Sequence, residues 1–348
     1  MKVGIAYSLP PPKSKQPLEG PDDRFEEFDK IETVEAIADV IGGEGHEVVL
    51  LGDGRQFLTR VLADPPDFVF NIAEGEGVGR CREARVPAAL EMLGIPYSGS
   101  DPLTLAACLD KSEAKVLLSE STSFDLPYGW SLDPEDHAGA SKFFREIYDR
   151  ESDKYRWYRH SERPTILILK PEFEGSSKGI RGKAIAESPE EALEIYEDLA
   201  RNYQQRIIAE EFIDGEEWTV GFYGDACLIG LMKIFPKAES KHFVYSLEVK
   251  RDYANRVIYE APPEASTELV ERITRAATYA CSTLKCRDLA RIDFRIRDGI
   301  PYFIEANPLP GLAPGTSDLV ILAQGYGISH ADLIRKIFHT ALARVGLS

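Results

Sequence analysis

The segment from Arg291 to Pro308 restricts the fold of this sequence most strongly, because it predicts a β-hairpin around an Asp298-Gly299 turn. Apolar and polar residues alternate on both sides of the turn, which is the period of half-buried strands. A two-residue loop would place Asp293 and Glu305 on opposite faces, since a shift of one residue reverses every side chain. A three-residue loop with a left-handed Gly299 would place them on one face. We therefore predict the three-residue loop, which groups Arg291, Asp293, Glu305 and Asn307 on one face and Ile292, Phe294, Ile296 and Ile304 on the core face.

The predicted polar face carries two carboxylates within cross-strand reach, and such a pair is unfavourable unless a cation lies between them. Asp293, Glu305 and the amide oxygen of Asn307 suit Mg²⁺, a hard cation that takes oxygen ligands and often shares them with substrate phosphates. The alternative is an ordinary solvated face on which Arg291 and Arg295 neutralise the acids. The hairpin alone does not decide between these interpretations.

The size and charge of the chain limit its classes of function. Its 348 residues exceed one ordinary core, so two or three domains are expected. The net charge of −17 argues against a nucleic-acid partner, because phosphate backbones require clustered Lys and Arg. The apolar runs are too short for a membrane span or a signal peptide. The five cysteines are scattered without zinc or disulfide spacing, which indicates a reducing, cytoplasmic location.

The first part of the chain has the alternating pattern of an open α/β domain, which we expect to span residues 1–105. A long, proline-rich loop covers residues 9–29, and loops of that length are usually functional or mobile. A glycine-rich segment at 74–79 follows the third predicted strand. Its acidic residues make it a poor phosphate cradle, so we interpret it as a plain turn.

Two further units are predicted at 106–208 and 209–348. The first contains a charged, aromatic insertion at 133–163. A helix that begins at Pro102 leads into this unit and reaches Asp110-Lys111, and its continuation to Leu118 is left open. The second contains strands around a Gly224-Asp225 turn, the opening hairpin and a final amphipathic helix.

The segment Gly175-Ser176-Ser177-Lys178-Gly179 comes shortly after a buried strand that ends at Lys170. Consecutive backbone N–H groups in such a segment can surround an anion, and the two lysines add positive charge beside it. A surface turn is an equally good interpretation of this segment alone.

Six motifs in this order resemble those of the ATP-grasp ligases, and within them the D-alanine–D-alanine ligase branch. The motifs are Lys111, Lys170-Pro171, 174–179, 210–219, 291–294 and 305–311. The resemblance covers most of the chain. It implies an α/β ATP-grasp fold, α+β in its C-terminal part, with an N-terminal open α/β domain followed by two ATP-binding subdomains.

The resemblance also implies ATP as the nucleotide. Lys111 and Lys170 would hold its phosphates, and Ser176 and Ser177 would lie in the loop that closes over the triphosphate. The other nucleotide contacts would be Glu210 at the adenine amino group, Phe212 and Ile213 along the base, Glu217 at the ribose, and Lys250 as a further phosphate lysine.

Two Mg²⁺ ions, which Mn²⁺ could replace, are implied at the hairpin. Asp293 and Glu305 would bind one ion, and Glu305 and Asn307 the other. Arg291, the Gly311 amide and Ser176 would form the catalytic group. These positions suit attack of a carboxylate on the γ-phosphorus, followed by attack of an amine on the acyl phosphate.

The amino acid site departs from the family pattern. The long loop 9–29 replaces a short glycine-rich turn whose acid holds the first substrate's amino group, and Glu27 or Asp29 would substitute for that acid. Thr316 and Ser317 lie near the place of a serine that meets the second substrate's carboxylate. The expected partners are small amino acids, without nucleic acid or membrane, and a homodimer is left open.

Three hypotheses follow. The first is an ATP- and Mg²⁺-dependent ligase that forms D-alanyl-D-alanine. The second keeps this chemistry and changes the amino acid or carboxylate. The third is a nucleotide-binding protein without turnover. The intact Lys111, Lys170, Asp293, Glu305 and Asn307 weigh against the third, because a lost activity would not require all of them.

Overall fold

The computed structural model describes residues 1–12, 20–149, 151–152, 154–155, 158, 165–224 and 227–347. Within these residues, the strands form three separate sheets, and helices pack against them. Parts of the predicted loop 9–29 and of the insertion 133–163 lie outside the described residues, as does Asp225 of the predicted turn. No helix among the described residues is long and apolar enough to cross a membrane.

The first sheet is parallel, with strand order β2-β1-β3. Its strands are nearly continuous apolar runs, as expected where helices cover both faces of a parallel sheet. The elements of this unit are β1 (Lys2–Tyr7), α1 (Ile31–Gly43), β2 (Glu47–Gly52), α2 (Gly54–Ala63), β3 (Phe68–Ile72), α3 (Arg85–Leu93), α4 (Pro102–Leu109) and α5 (Lys111–Leu117).

The helix predicted from Pro102 to Lys111 ends at Leu109, and a second helix begins at Lys111. Asp110 has an extended backbone (φ −84°, ψ 101°), and its side chain accepts a hydrogen bond from the Glu113 N–H. An aspartate in this conformation ends one helix and caps the next. Lys111 is therefore the first residue of α5 and not the last of α4.

The second sheet is antiparallel, with order β4-β7-β5-β6. Helices α6 and α7 pack on it through buried side chains such as Phe144, Tyr196 and Leu199. Its elements are β4 (Gly129–Leu132), α6 (His137–Tyr148), β5 (Leu167–Pro171), β6 (Ile185–Ala186), α7 (Pro189–Tyr203) and β7 (Ile207–Glu211).

The third sheet has five antiparallel strands in the order β10-β9-β8-β11-β12. The segment 237–256 contains two short helices. The elements are β8 (Glu216–Tyr223), β9 (Cys227–Pro236), α8 (Leu247–Arg251), α9 (Tyr253–Arg256), β10 (Val257–Glu260), α10 (Thr267–Thr283), β11 (Leu289–Arg297), β12 (Ile300–Asn307), α11 (Asp318–Gly325) and α12 (His330–Val345).

The predicted three-residue hairpin loop is wrong. Arg297 pairs with Ile300, so the loop is Asp298-Gly299, and both loop residues have positive φ (54° and 74°). That is the conformation of a two-residue hairpin turn. The register then shifts beyond Phe294, where a β-bulge restores the predicted face.

The bulge leaves Ile304 without a partner, because Asp293 pairs with Glu305 and Phe294 pairs with Phe303. Phe303 is fully buried in the core. Ile304 is only partly buried and lines the cavity described below, so its predicted place in the core is also wrong. The predicted pairing of the two acids nevertheless holds.

The first and last parts of the chain share one core. Val3 and Ile5 of β1, Ile37 of α1, and Ile334 and Phe338 of α12 belong to a single buried cluster. The last helix thus fixes the first sheet against the third. The domain boundaries after residues 105 and 208 stay predictions.

Candidate active site

A cavity of about 800 Å³, partly open to solvent, is lined by residues of the second and third sheets. Strands β5 and β7 form one wall, and β8, β11 and β12 form the other. The cavity brings together ten of the predicted site residues: Lys170, Ser177, Glu210, Phe212, Ile213, Glu217, Lys250, Arg291, Asp293 and Glu305.

Two buried ammonium groups flank Glu210 at one end of this cavity. Lys170 Nζ lies 2.7 Å from Glu210 Oε2, and Lys115 Nζ donates a hydrogen bond to Oε1. Burial would raise the pKa of Glu210, but the two lysines lower it to about 2. Burial lowers the pKa of Lys115 to about 8, against the attraction of Glu210. This end of the cavity therefore carries net positive charge.

An apolar and aromatic edge follows Glu210. Phe212 and Ile213 are buried in the cavity wall, and the guanidinium carbon of Arg295 lies 4.9 Å from the centre of the Phe212 ring. Arg295 Nη1 is 3.5 Å from Glu217 Oε2. Burial raises the pKa of Glu217, and Arg295 opposes that rise. A flat apolar wall beside a carboxylate suits a base and a ribose.

Asp293 and Glu305 form the acidic end of the cavity. Burial raises the pKa of Asp293; Arg291 opposes this rise and Glu305 adds to it. Burial would also raise the pKa of Glu305, but Lys111 and Arg291 lower it overall. Thr219 donates a hydrogen bond to Asp293 from the adjacent strand β8.

Arg291 is held by three carboxylates. Its Nη2 lies 2.9 Å from Asp293 Oδ2 and 3.7 Å from Glu305 Oε1, and its Nη1 donates to Asp318 Oδ2 at 2.9 Å. Burial would lower the pKa of Arg291, but these acids raise it. Tyr245 also donates to Asp318, at 2.9 Å. The guanidinium is therefore fixed in orientation and fully charged.

The hairpin face has a donor set that fits Mg²⁺. Among the described residues, no group of three or more His, Cys, Asp and Glu side chains is arranged to hold a metal alone. Two carboxylates and an amide oxygen fit an ion that takes its other ligands from phosphate and water. Asn307 Oδ1 accepts from the Leu309 N–H at 3.1 Å and keeps a second lone pair.

A second cavity of about 410 Å³ adjoins the first, and Glu305 lines both. Lys111 lies in its wall; its Nζ donates to the Glu174 carbonyl and is 4.0 Å from Glu305 Oε2. Burial lowers the pKa of Lys111. The other lining residues that bear on the chemistry are Glu27, Glu74, Glu83, Ser176 and Asn307.

Residues 175–179, called the Gly-Ser loop from here on, border both cavities. Ser176 and Ser177 have positive φ (49° and 58°), which curls the backbone back on itself. Ser176 lines the second cavity and Ser177 the first, and Ser177 Oγ donates to the Tyr245 carbonyl at 2.8 Å. Lys250 Nζ lies 5.1 Å from the Tyr245 ring. The loop thus contacts the segment that carries Lys250.

Glu27 is fastened to this loop by charged partners. Its carboxylate accepts from Arg82 Nη2 at 2.9 and 2.8 Å, from the Gly175 N–H at 2.5 Å and from Lys178 Nζ at 3.2 Å. Burial would raise the pKa of Glu27, but Arg82 and Lys178 lower it to about 2. Its acceptor sites are occupied by the protein itself.

Four other predicted residues are not brought to the cavities. Asp29, Gly311, Thr316 and Ser317 are not among the described residues that line either one. Ser317 Oγ accepts from the Ala313 N–H at 2.9 Å, so it shapes its own loop. Burial raises the pKa of Asp29 to about 7.

Sequence reasoning missed Lys115, Asp318, Arg82, Glu74 and Glu83. Lys115 lies four residues after Lys111 on one helix, a spacing that places both on one face and could have revealed it. Glu74 was assigned to a plain turn, yet it lines the second cavity. Arg82 and Asp318 gave no local signal, since their partners are distant in sequence.

Comparisons with known proteins identify the family. Residues 146–339 match the family model described as D-ala D-ala ligase C-terminus. The D-alanine–D-alanine ligase of Bacillus anthracis is 30% identical over 260 residues, which cover 75% of this chain and 76% of that protein. The chain belongs to the D-alanine–D-alanine ligase family. The predicted ATP-grasp branch and the prediction of a ligase are confirmed.

The similarity to other members of the D-alanine–D-alanine ligase family extends over nearly the whole chain. The enzyme of this name from Fervidobacterium nodosum is 27% identical over 317 residues, 89% of this chain and 93% of that protein. The crystal structure of the Bacillus anthracis enzyme complexed with ATP has a TM-score of 0.69 at 24% identity, covering 99% of this chain and 98% of that one. The VanG D-Ala:D-Ser ligase of Enterococcus faecalis has a TM-score of 0.67 at 18% identity, with 98% and 99% covered. These structures confirm the predicted α/β ATP-grasp fold.

Proposed function

We propose that this protein uses ATP to join the carboxylate of one amino acid to the amine of another through an acyl phosphate. The observation that carries this proposal is that Glu305, one of the paired acids, lines both cavities. One cavity has the apolar and charged wall expected of a nucleotide site, and the other is lined mainly by charged and polar groups. Phosphoryl transfer between them would occur beside the paired acids.

Several contacts support a nucleotide in the larger cavity. Phe212 and Ile213 offer an apolar wall for a base, Glu217 offers a carboxylate for ribose hydroxyls, and Lys170 offers charge for phosphates. In the Gly-Ser loop the N–H groups of Gly175, Lys178 and Gly179 are bonded within the protein, so those of Ser176 and Ser177 are the ones that would bind a phosphate oxygen. Glu210, predicted at the adenine amino group, is engaged by Lys115 and Lys170, and its carboxylate orients both ammonium groups.

Asp293, Glu305 and Asn307 would hold Mg²⁺. Two ions are proposed, as the family resemblance implies. The metal would neutralise the charge that develops on the phosphate oxygens. Arg291 is oriented by Asp318 and keeps N–H groups beyond those bonded to Asp293 and Asp318. Those donors can stabilise the oxyanion formed when the amine attacks, and the Gly311 amide is proposed to assist.

D-Alanyl-D-alanine is the leading product, because the relatives that match most of the chain bear the name D-alanine–D-alanine ligase. The predicted amino acid site differs from the family pattern in the loop 9–29. A different amino acid is therefore the second candidate for the same chemistry.

The test is the release of ADP by pure protein with Mg-ATP across a panel of D- and L-amino acids. Turnover dependent on D-alanine supports the leading product, and turnover with another acid supports the second candidate. Tight ATP binding without turnover on any amino acid would contradict the ligase proposal and favour a non-catalytic nucleotide-binding protein.

A further inference from the structure

The second cavity contains two carboxyl groups that the protein leaves without partners. Among the described residues, neither Glu74 nor Glu83 accepts a hydrogen bond through its carboxyl group or lies within 4.0 Å of a cationic side chain. Glu83 is only 7% exposed. A carboxylate on a largely buried residue is costly without a partner, so Glu83 needs a ligand or another function to explain it.

The other acids of this cavity are already engaged. Glu27 is saturated by Arg82, Lys178 and the Gly175 amide. Glu174 binds Lys178 and accepts from Gln205 at 2.7 Å. Glu27, the residue predicted to hold a substrate amine, therefore has no acceptor site to offer.

The lining of this cavity contains charged groups of both signs. Lys111 is the one basic side chain among the described residues of its wall, and it lies beside Glu305. Glu74 and Glu83 have no ion pair of their own, since Arg82 is paired with Glu27 and Glu174, and burial favours their neutral forms until a cation binds. An amino acid would place its carboxylate toward Lys111 and its ammonium group toward the two free acids, since the reverse orientation sets like charges together.

We propose that Glu74 and Glu83 bind the ammonium group of the amino acid whose carboxylate is activated, so that this substrate must carry a free amine. The inference rests on the proposed ligase function and names the residues that select its first substrate. An ammonium group has three N–H donors, and two carboxylates provide acceptors for them. Glu27 then acts on the Gly-Ser loop instead of on the substrate.

The mutual repulsion of the two acids also favours a bound cation between them. Burial raises the pKa of Glu74, and the nearby Glu83 carboxylate raises it further. Burial also raises the pKa of Glu83 to about 8, although Arg82 opposes this. Such a pair is unfavourable in the empty protein and is relieved by a bound cation, a pattern that is common at functional sites.

The test combines binding and turnover for wild type, Glu74→Gln, Glu83→Gln and the control Glu76→Gln. Glu76 is an exposed acid on the same segment and does not line this cavity. Calorimetry measures the Kd of each amino acid in a D and L panel with a non-hydrolysable Mg-ATP analogue present. Steady-state kinetics measure KM for the amino acid and for ATP.

We expect Kd and KM for the amino acid to rise roughly 10- to 100-fold in Glu74→Gln and Glu83→Gln, because each loses a charged hydrogen bond. KM for ATP and the behaviour of Glu76→Gln should change by less than about threefold. The preference of wild type for the amino acid over its desamino analogue should shrink in both variants. A merely structural role would not change that preference.

Each outcome decides between the proposals. Variants that keep wild-type amino acid affinity and the same discrimination against the desamino analogue overturn the ammonium site and leave the ligase function standing. Wild type that binds an amino acid through these residues without turnover overturns the ligase function alone. Wild type that binds no amino acid of the panel overturns both. Glu74 is only partly buried, so Glu74→Gln decides the question if Glu83→Gln fails to fold.

Discussion

Asp293 lies directly opposite Glu305 in the β11–β12 hairpin, and the bulge at Ile304 makes this pairing compatible with a two-residue turn. Without the bulge, the alternation of the strand would turn Glu305 toward the core. The bulge therefore creates the acidic face on which the proposed metal and phosphate chemistry depends, and bulges often re-aim a side chain beside an active site.

Glu305→Gln should reduce turnover by on the order of 100-fold or more, because one carboxylate of the proposed metal site becomes neutral. The melting temperature should stay close to that of wild type, since the amide has the same shape. ADP release and thermal unfolding measure the two effects. Glu271→Gln, an exposed acid on α10, is the matched control and should keep full activity. A fully active Glu305→Gln variant would contradict the assignment of Glu305 as a metal ligand.

Lys115→Met should destabilise the fold by about 2–4 kcal/mol, because it leaves part of the Glu210 charge buried without its partner. Adding Glu210→Gln should recover part of this loss. Urea unfolding of both variants measures it. The control Lys142→Met removes an exposed ion pair with Glu146 and should cost less than about 1 kcal/mol. Equal effects of the two lysine variants would contradict a buried charge cluster.

Glu27→Gln should loosen the Gly-Ser loop, because Arg82, Lys178 and the Gly175 N–H lose a charged acceptor. Hydrogen exchange at residues 175–179 should become faster by roughly 10-fold or more. The exposed Glu32→Gln on α1 should leave that exchange unchanged. Unaltered exchange in Glu27→Gln would remove the role assigned to this carboxylate.

The stability of the ligand-free protein should depend on pH through Glu83. Its pKa in the folded protein, about 8, is above the ordinary value of 4.5 because of burial. A raised pKa means that the folded state binds the proton more tightly, so stability is lost as pH rises from about 4.5 to about 8.

Glu83→Gln removes this effect, so its stability relative to wild type should increase by about 2–4 kcal/mol between pH 5 and pH 8.5. Urea unfolding at a series of pH values measures the difference. A constant difference across this range would show that Glu83 is not held in an unfavourable ionised state.

The sequence predicts those parts of the site that depend on local pattern. The strand that carries Asp293 was found from its period of two, and Lys170 was found at the end of a buried strand. The order of six motifs then identified the family, since each motif alone had an equally good structural interpretation. Each of these motifs is recognised from neighbours in sequence, and their order is read along the chain.

Features that depend on tertiary partners were missed. A three-residue loop and a two-residue loop with a bulge at Ile304 both place Asp293 opposite Glu305. The sequence does not distinguish them, because Phe303 and Ile304 are both apolar and either could face the core. The engagement of Glu27 requires Arg82 and Gly175, which are 55 and 148 residues away. The two free acids of the second cavity could be distinguished from a surface turn only after that packing was known.

The most direct test of the proposed reaction follows the substrate oxygen. An amino acid that supports turnover is labelled with ¹⁸O in its carboxylate, and the phosphate released with ADP is examined by mass spectrometry. Attack of the carboxylate on the γ-phosphorus forms a C–O–P bond, and attack of the amine on carbon then expels phosphate that keeps the carboxylate oxygen. The account predicts one ¹⁸O in each phosphate released, together with the dipeptide. Phosphate without the label would show that water and not the carboxylate is the nucleophile, and it would contradict the account.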